Sequence, residues 1–273
     1  MIVVPGPASQ SLGKKIAAEL GVDAYPLEWR IFPDGESYIR YPIEIRGEDV
    51  ALVQSCPPPV DRNLVELLLM ADGAKSMGAG KVLAVIPYLA YMRQDKAFRF
   101  GDVVSVETVA KLVEAAGIDE VLTVDVHSHD ATSHFKIPVV ETSAMVPLGE
   151  HLRTLSLRMP LVLSPDKGGR DRARVVAGVL NADLDVLDKF RDRATGQVSV
   201  ALKELSLKGR DVVIVDDIIS TGSTIVKAAE LVLSQGARKV YAACTHPLLI
   251  GDAREKLREG GGGVSMACAI EMI

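Results

Sequence analysis

Apolar residues along the chain fall into two alternating rhythms. Short runs of Val, Ile, Leu and Ala, apolar on both alternating faces, recur between longer stretches in which apolar positions return every three or four residues. The first pattern suits strands covered on both sides in a parallel sheet, the second helices laid against it. Strands are predicted at 2–4, 49–54, 82–86, 120–126, 139–140, 161–163, 185–187, 212–215 and 264–270, with another inside 235–245. Helices are predicted near 9–20, 64–75, 105–116, 145–154 and 170–181, and from 225 onward. The fold class is therefore α/β, with mainly parallel sheets flanked by helices.

The pattern also repeats. Asp49-Val-Ala-Leu-Val-Gln leads through SCPPPVDRN to a helical stretch and then to MGAGKVLAVIP, while Asp211-Val-Val-Ile-Val-Asp leads through a small-residue loop to a helical stretch and then to QGARKVYAACT. The offset is nearly constant, which points to two copies of one β-loop-α-β unit and to two similar domains, 1–143 and 144–273. Chance likeness between βαβ units is the competing explanation. Only the second copy carries the small hydroxylated loop. The glycine run 260–263 is expected to be a flexible turn before the last strand.

Composition narrows the class without changing the fold. The 273 residues are 48% hydrophobic and 25% charged, the balance of a globular protein with ample core, and aromatics at 4% leave that core to aliphatic side chains. A net charge of −5 offers no electrostatic footprint for nucleic acid or an anionic membrane. The three cysteines, Cys56, Cys244 and Cys268, have no zinc-site or CxxC spacing and read as reduced thiols. The start MIVVPGPASQ lacks the features of a signal peptide, and no run is long enough to span a membrane, so a cytoplasmic location is expected.

The densest chemistry lies at 211–224, DVVIVDDIISTGST. Small residues between a strand and a helix let a phosphate approach the unpartnered N–H groups of the helix start, and hydroxyls add donors. Asp216 and Asp217 would repel that phosphate, but carboxylates accept hydrogen bonds from vicinal hydroxyls and attract Mg2+. Phosphate at one end and hydroxyls at the other describe a sugar phosphate. A capped turn with solvated acids is the bland alternative.

Other strand ends carry further clusters. Phe32-Pro-Asp-Gly-Glu36 is a turn that sets an aromatic beside Asp34 and Glu36. In PYLAYMRQDK, Arg93 and Lys96 can meet phosphates and Gln94 a base edge or ribose, unless the loop is merely solvated. In DVHSH, His127 and His129 could be a zinc pair, a Mg2+-nucleotide contact beside Asp125, or satisfied structural histidines. SPDKGGR opens a helix with a second anion cradle and places Asp166 where it can hold a metal beside it; two cradles imply two phosphate groups. The densely charged LDKFRDRATGQ has no apolar stripe and is expected to be a mobile loop, with Lys189 and Arg191 facing one way; an ordinary exposed hairpin is the alternative.

FPDGE, YxxYxRQDK, DVHSH, SPDKGGRDRAR, DKFR and VVIVDDIISTGST, in that order and spacing, resemble the ribose-phosphate diphosphokinases, also called phosphoribosyl pyrophosphate synthetases. The resemblance runs over almost the whole chain. It implies two phosphoribosyltransferase-like domains that share an active site, ATP and ribose 5-phosphate as substrates, Mg2+ as cofactor, and a homo-oligomer in which Phe32, Asp34 and Glu36 approach the adenine of a neighbouring subunit. By the same resemblance Arg93, Gln94 and His127 bind ATP, His127 and Asp166 hold Mg2+, and Asp216 and Asp217 take the ribose hydroxyls. Ser220, Thr221, Gly222, Ser223 and Thr224 hold the 5-phosphate, and Lys189 and Arg191 are the catalytic cations. Ser220 stands where many members carry a further aspartate, and SHDATSHF replaces a glutamine-containing pattern of bacterial members; with the short chain this looks archaeal in type. Two other functions share the DDxxSTGST loop: a nucleobase phosphoribosyltransferase, and a catalytically silent regulatory homologue.

Overall fold

The computed structural model describes residues 1–191, 198–201, 207–259 and 264–268, with the backbone alone at 188–191, 198–201, 267 and 268. It divides into two compact units, Met1–Thr142 and Ser143–Glu271. The run 260–263, expected to be a flexible turn, lies outside the described residues.

The first unit is built on five parallel strands, β1 (Ile2–Pro5), β4 (Val50–Val53), β5 (Val82–Ile86), β6 (Glu120–Val124) and β7 (Val139–Thr142), side by side in that order. Alternation along the strands sorts their side chains between two helical layers. Val4, Leu52, Ala84 and Val121 pack with Leu67 and Met70 of α2 (Val60–Ser76) and Val109 and Val113 of α3 (Ser105–Ala115); Val3, Ala51, Val53 and Val85 pack with Ala17 of α1 (Gln10–Leu20). An antiparallel hairpin, β2 (Glu28–Ile31) and β3 (Ser37–Arg40), forms its own small sheet, with Trp29 opposite Ile39 and Arg30 opposite Tyr38.

The second unit repeats the plan. Its parallel sheet runs β14 (Ser265–Cys268), β13 (Lys239–Pro247), β12 (Asp211–Ile219), β8 (Leu161–Ser164), β9 (Asp183–Val186). One face carries α6 (Ser223–Ser234) and α7 (Ala253–Glu259), through Ile225, Ala229, Val232 and Leu257; the other carries α4 (Met145–Arg153) and α5 (Arg170–Leu180), through Leu148, Leu152, Val176 and Ala177. A separate antiparallel ribbon pairs β10 (Asp188–Arg191) with β11 (Val198–Ala201). In each unit the strand that opens the repeat, β4 or β12, is bonded on one side to the unit's first strand, β1 or β8, and on the other to the next strand in the chain, β5 or β13.

Several boundaries differ from the sequence reading, for local reasons. The strand expected at 212–215 runs from Asp211 to Ile219, because β13 is equally long and its backbone pairs onward past the carboxylates, Asp216 with Cys244 and Ile219 with Pro247. The strand expected at 120–126 stops at Val124, since Asp125 turns to a positive φ of 44° and gives its N–H to the Thr142 carbonyl at 2.9 Å. The helix expected from 64 begins at Val60, directly after three prolines that end at the N-cap Pro59. Residues 188–191, expected in a loop, form a strand of the ribbon, because a partner strand lies across from them in register.

Candidate active site

The loop after β12 is shaped by one glycine. Gly222 caps α6 with φ +73°, a left-handed conformation that costs a side chain, and a Cβ there would lie 3.2 Å from Leu257 Cγ. That turn brings the chain directly into the helix, so Ser223 and Thr224 occupy its first turn and not a preceding loop. No side chain caps this end, and the first-turn N–H groups are the kind that bind anions. The Thr221 hydroxyl donates to Ser223 Oγ at 3.3 Å, and Thr221, Ser223 and Thr224 are exposed. The loop is held from outside: Leu249 N donates to the Ile219 carbonyl at 3.1 Å and Ile250 N to that of Ser220 at 3.0 Å.

Just upstream the two acids differ in setting. Asp217 is buried, with Arg172 of α5 at 3.8 Å from its Oδ2, and its own N–H donates to Asp216 Oδ1 at 2.9 Å. Burial, then the hydrogen bond and negative charge of Asp217, push the Asp216 carboxyl well above the usual carboxylate range, and the charge of Asp166 adds to the effect. Asp216, Asp217 and Asp166 therefore sense one another at the carboxyl end of the sheet, where open α/β folds bind ligands. Arg172 thereby joins the site, a role that its place in the SPDKGGRDRAR run does not mark.

The turn after β8 is tighter than a bare cradle. Ser164 Oγ donates to the Asp166 carbonyl at 2.7 Å, and Asp166 Oδ1 accepts the Gly169 N–H at 3.1 Å. A Cβ at Gly169 would lie 2.8 Å from Ser164 Oγ, which explains the glycine. The expected cradle is thus partly self-satisfied: Gly169 N is held by Asp166, and Arg170 N donates to the Lys167 carbonyl at 3.4 Å. Asp166 itself is exposed. Lys189 and Arg191 lie on β10 by backbone, and their side chains fall outside the described residues.

In the first unit the segments carrying Arg93, Gln94 and His127 are stitched together. Gln94 Oε1 accepts the hydroxyl of Ser105 at the start of α3. Ser128 Oγ donates to Asp95 at 2.6 Å, and His134 Nε2 lies 3.0 Å from the Asp95 carbonyl. The Ser128 hydroxyl, helped by the charges of Lys96 and His127, holds the Asp95 carboxyl below its usual range against the opposing effect of burial. Asp95 is thus a structural hub that the sequence reading passes over. Arg93 and His127 are exposed. The other histidine of the HxH pair, His129, is committed to Glu141 at 2.7 Å.

Phe32, Asp34 and Glu36 sit at the tip of the hairpin. Phe32 and Glu36 close the turn with an N–H to carbonyl bond of 2.8 Å, Gly35 supplies φ +96°, and Asp34 Oδ1 accepts the Glu36 N–H at 3.2 Å. The Arg30 guanidinium lies 5.0 Å from the Phe32 ring and 4.9 Å from that of Tyr38, and the two rings meet edge to face. Asp34 and Glu36 are exposed.

Among the described residues no three His, Cys, Asp or Glu side chains are gathered as metal ligands. A cation here would take most of its ligands from a phosphorylated substrate, the habit of Mg2+, and an exposed carboxylate such as Asp166 fits that chemistry. Among the described residues no helix is long and apolar enough to cross a membrane.

The family model for the N-terminal domain of ribose phosphate pyrophosphokinase matches residues 1–117, and that for the phosphoribosyl transferase domain matches 148–260. A ribose-phosphate pyrophosphokinase of Saccharolobus solfataricus is 42% identical over 96% of this chain and 90% of its own length. One of Methanothermobacter thermautotrophicus is also 42% identical, over 95% and 90%. The crystal structure of phosphoribosylpyrophosphate synthetase from Mycobacterium smegmatis superposes with a TM-score of 0.85 at 28% identity, covering 98% of this chain and 94% of that one.

Proposed function

The chain belongs to the ribose-phosphate pyrophosphokinase family, joining the diphosphoryl group of ATP to O1 of ribose 5-phosphate with release of AMP, and we propose how its residues divide that reaction. The observation that carries the division is the second unit's pairing of an uncapped, glycine-opened helix start with two adjacent carboxylates on the strand that leads into it, the half-buried Asp216 and the buried Asp217. The first suits the 5-phosphate and the second the ribose hydroxyls. Ser220, Thr221, Gly222, Ser223 and Thr224 take the phosphate; Asp216 and Asp217 accept the hydroxyl hydrogens, with Arg172 steadying Asp217. The raised Asp216 carboxyl means that sugar binding and proton release are linked at this site.

Arg93, Gln94 and His127 are assigned to ATP, together with Phe32, Asp34 and Glu36 reaching from a neighbouring copy. Exposed Trp29, Ile31, Val65 and Leu69, on the hairpin and on the helix it packs against, support an oligomer contact there. Asp166, and in the first unit His127, are the residues we assign to Mg2+, which when bound neutralises the triphosphate. The anomeric oxygen attacks the β-phosphorus in line, a new O1–P bond forms, and the bridging oxygen departs with AMP. Lys189 and Arg191 offset the charge that builds on that oxygen. The family membership and the match over nine-tenths of the relatives' length disfavour a nucleobase transferase.

The test is direct. Incubation with ATP, Mg2+ and ribose 5-phosphate should yield AMP and 5-phosphoribosyl 1-diphosphate in equal amounts, read by 31P NMR. Formation of ADP, or no reaction, would overturn the proposal.

A further inference from the structure

The hairpin that carries Phe32, Asp34 and Glu36 shares no backbone hydrogen bonds with the five-stranded sheet, and the residues of β2 are exposed along its length. Something else must set its angle. On the side facing α2, Tyr41 OH donates to the Met70 carbonyl at 2.6 Å, and its ring would lie 3.4 Å from a Cβ at Gly73. One turn nearer the tip, Ser37 Oγ donates to Glu66 Oε1 at 2.7 Å. Glu66 is an unusual group to find there, a carboxylate only 1% exposed in the middle of the apolar stripe of α2. Its second oxygen faces Gln54 Nε2 at 3.4 Å, and Gln54 in turn bonds the Asn63 carbonyl and, through Oε1, the Ala8 N–H. Its shortest contact is therefore to the residue directly after Glu36.

We propose that Glu66 is a positioning residue for nucleotide binding: through Ser37 it fixes the hairpin, and so the placement of Phe32, Asp34 and Glu36. The proposal rests on the assignment of those three residues to ATP. A buried carboxylate with a hydroxyl donor is a strong, directional anchor, whereas the Tyr41 tie, farther from the tip, is a neutral hydrogen bond. Ile39 and Tyr41 also pack on the first unit's core, so the Ser37 anchor acts at the end of β3 nearest the tip, and its loss should show in where the tip lies more than in whether the unit folds.

Trp29, the single tryptophan, lies on β2 and reports on the hairpin by its fluorescence. Ser37→Ala removes the donor from the half-buried side and spares the core, and Ser37→Thr restores a hydroxyl with a strand-forming side chain. Glu66→Leu removes the anchor itself. In the full-length protein, Ser37→Ala should increase acrylamide quenching of Trp29 and raise KM for ATP about tenfold, the worth of one charge-assisted hydrogen bond. KM for ribose 5-phosphate should hold, kcat should stay within about twofold, and Ser37→Thr should behave as wild type. Unchanged Trp29 quenching in Ser37→Ala would overturn the proposal. So would looser Trp29 with an unchanged KM for ATP, and Asp34→Ala then tells why. If Asp34→Ala also leaves KM for ATP unchanged, the assignment of the hairpin to ATP has failed; if it raises KM, the failure belongs to Glu66 alone.

Discussion

Gly222→Ala tests the phosphate loop at its most constrained point. The backbone there has φ +73° and ψ −9°, which costs an alanine about 1–2 kcal/mol relative to glycine. The new Cβ would sit 3.2 Å from Leu257 Cγ and within 3.5 Å of both its terminal carbons, and Leu257 is 1% exposed, with little room to retreat. Overpacking of that kind adds about 1–2 kcal/mol. The sum, about 2–4 kcal/mol, corresponds to a fall of roughly 8–15 °C in the melting of the second unit. If the chain instead relaxes by shifting the loop, the first-turn N–H groups of α6 move off the phosphate. KM for ribose 5-phosphate should then rise at least about tenfold while KM for ATP holds. Differential scanning fluorimetry and initial rates read the two responses. A double-mutant cycle with Leu257→Ala should show coupling of about 1 kcal/mol as the contact is relieved. An alanine variant with wild-type melting and wild-type KM would refute the claim that this glycine shapes the site.

The raised Asp216 carboxyl has a sign that can be checked. The folded chain keeps a proton there at pH values where the unfolded chain has lost it, so this site costs stability as pH rises. Asp216→Asn should therefore raise the melting temperature more at pH 8 than at pH 5, while weakening ribose 5-phosphate; equal shifts at both pH values would contradict it. Lys189→Ala, removing a charge assigned to the transition state, should lower kcat by about 10^2 or more with both KM values little changed, and a rise in KM alone would make Lys189 a binding residue. Cys56 is fully buried and its thiol is pushed up to about 12 by that burial, so iodoacetamide should leave it unmodified in the native protein and label it in guanidinium, as peptide mapping would show.

The parallel layers were legible because buried strands and amphipathic helices leave strong periodic marks, and β5 is found at Val82–Ile86 as expected. What the pattern could not show was how far a strand continues once charges begin. Asp216 and Asp217 look like an end, yet the ladder to β13 carries the backbone on past them. The strand before 32–36 was hidden for the opposite reason, since β2 is exposed throughout and has no buried face to produce alternation. At the site, sequence marks the loops by their small residues and acids but not the side chains that steady them. Arg172, Asp95 and Glu66 act through partners distant in sequence, Asp217, Ser128 and Ser37. Glu66 did leave a trace, the one carboxylate on a mainly apolar helical stripe with Leu64, Leu67 and Met70.

Gln54 follows Val53 at the end of β4, the place along the repeat that Asp216 holds after Val215 in β12. Its Oε1 takes the Ala8 N–H at 3.0 Å, in the loop after β1, and would lie 2.4 Å from any Cβ at Gly6. An amide side chain thus does for that backbone what the Asp166 carboxylate does for the Gly169 N–H after β8. The two halves of a duplicated architecture have parted company at this position, one placing there an amide that binds its own backbone and the other a carboxylate. The amide holds its neighbours without charge at any pH, while the half-buried Asp216 beside the buried Asp217 costs the second unit stability as pH rises.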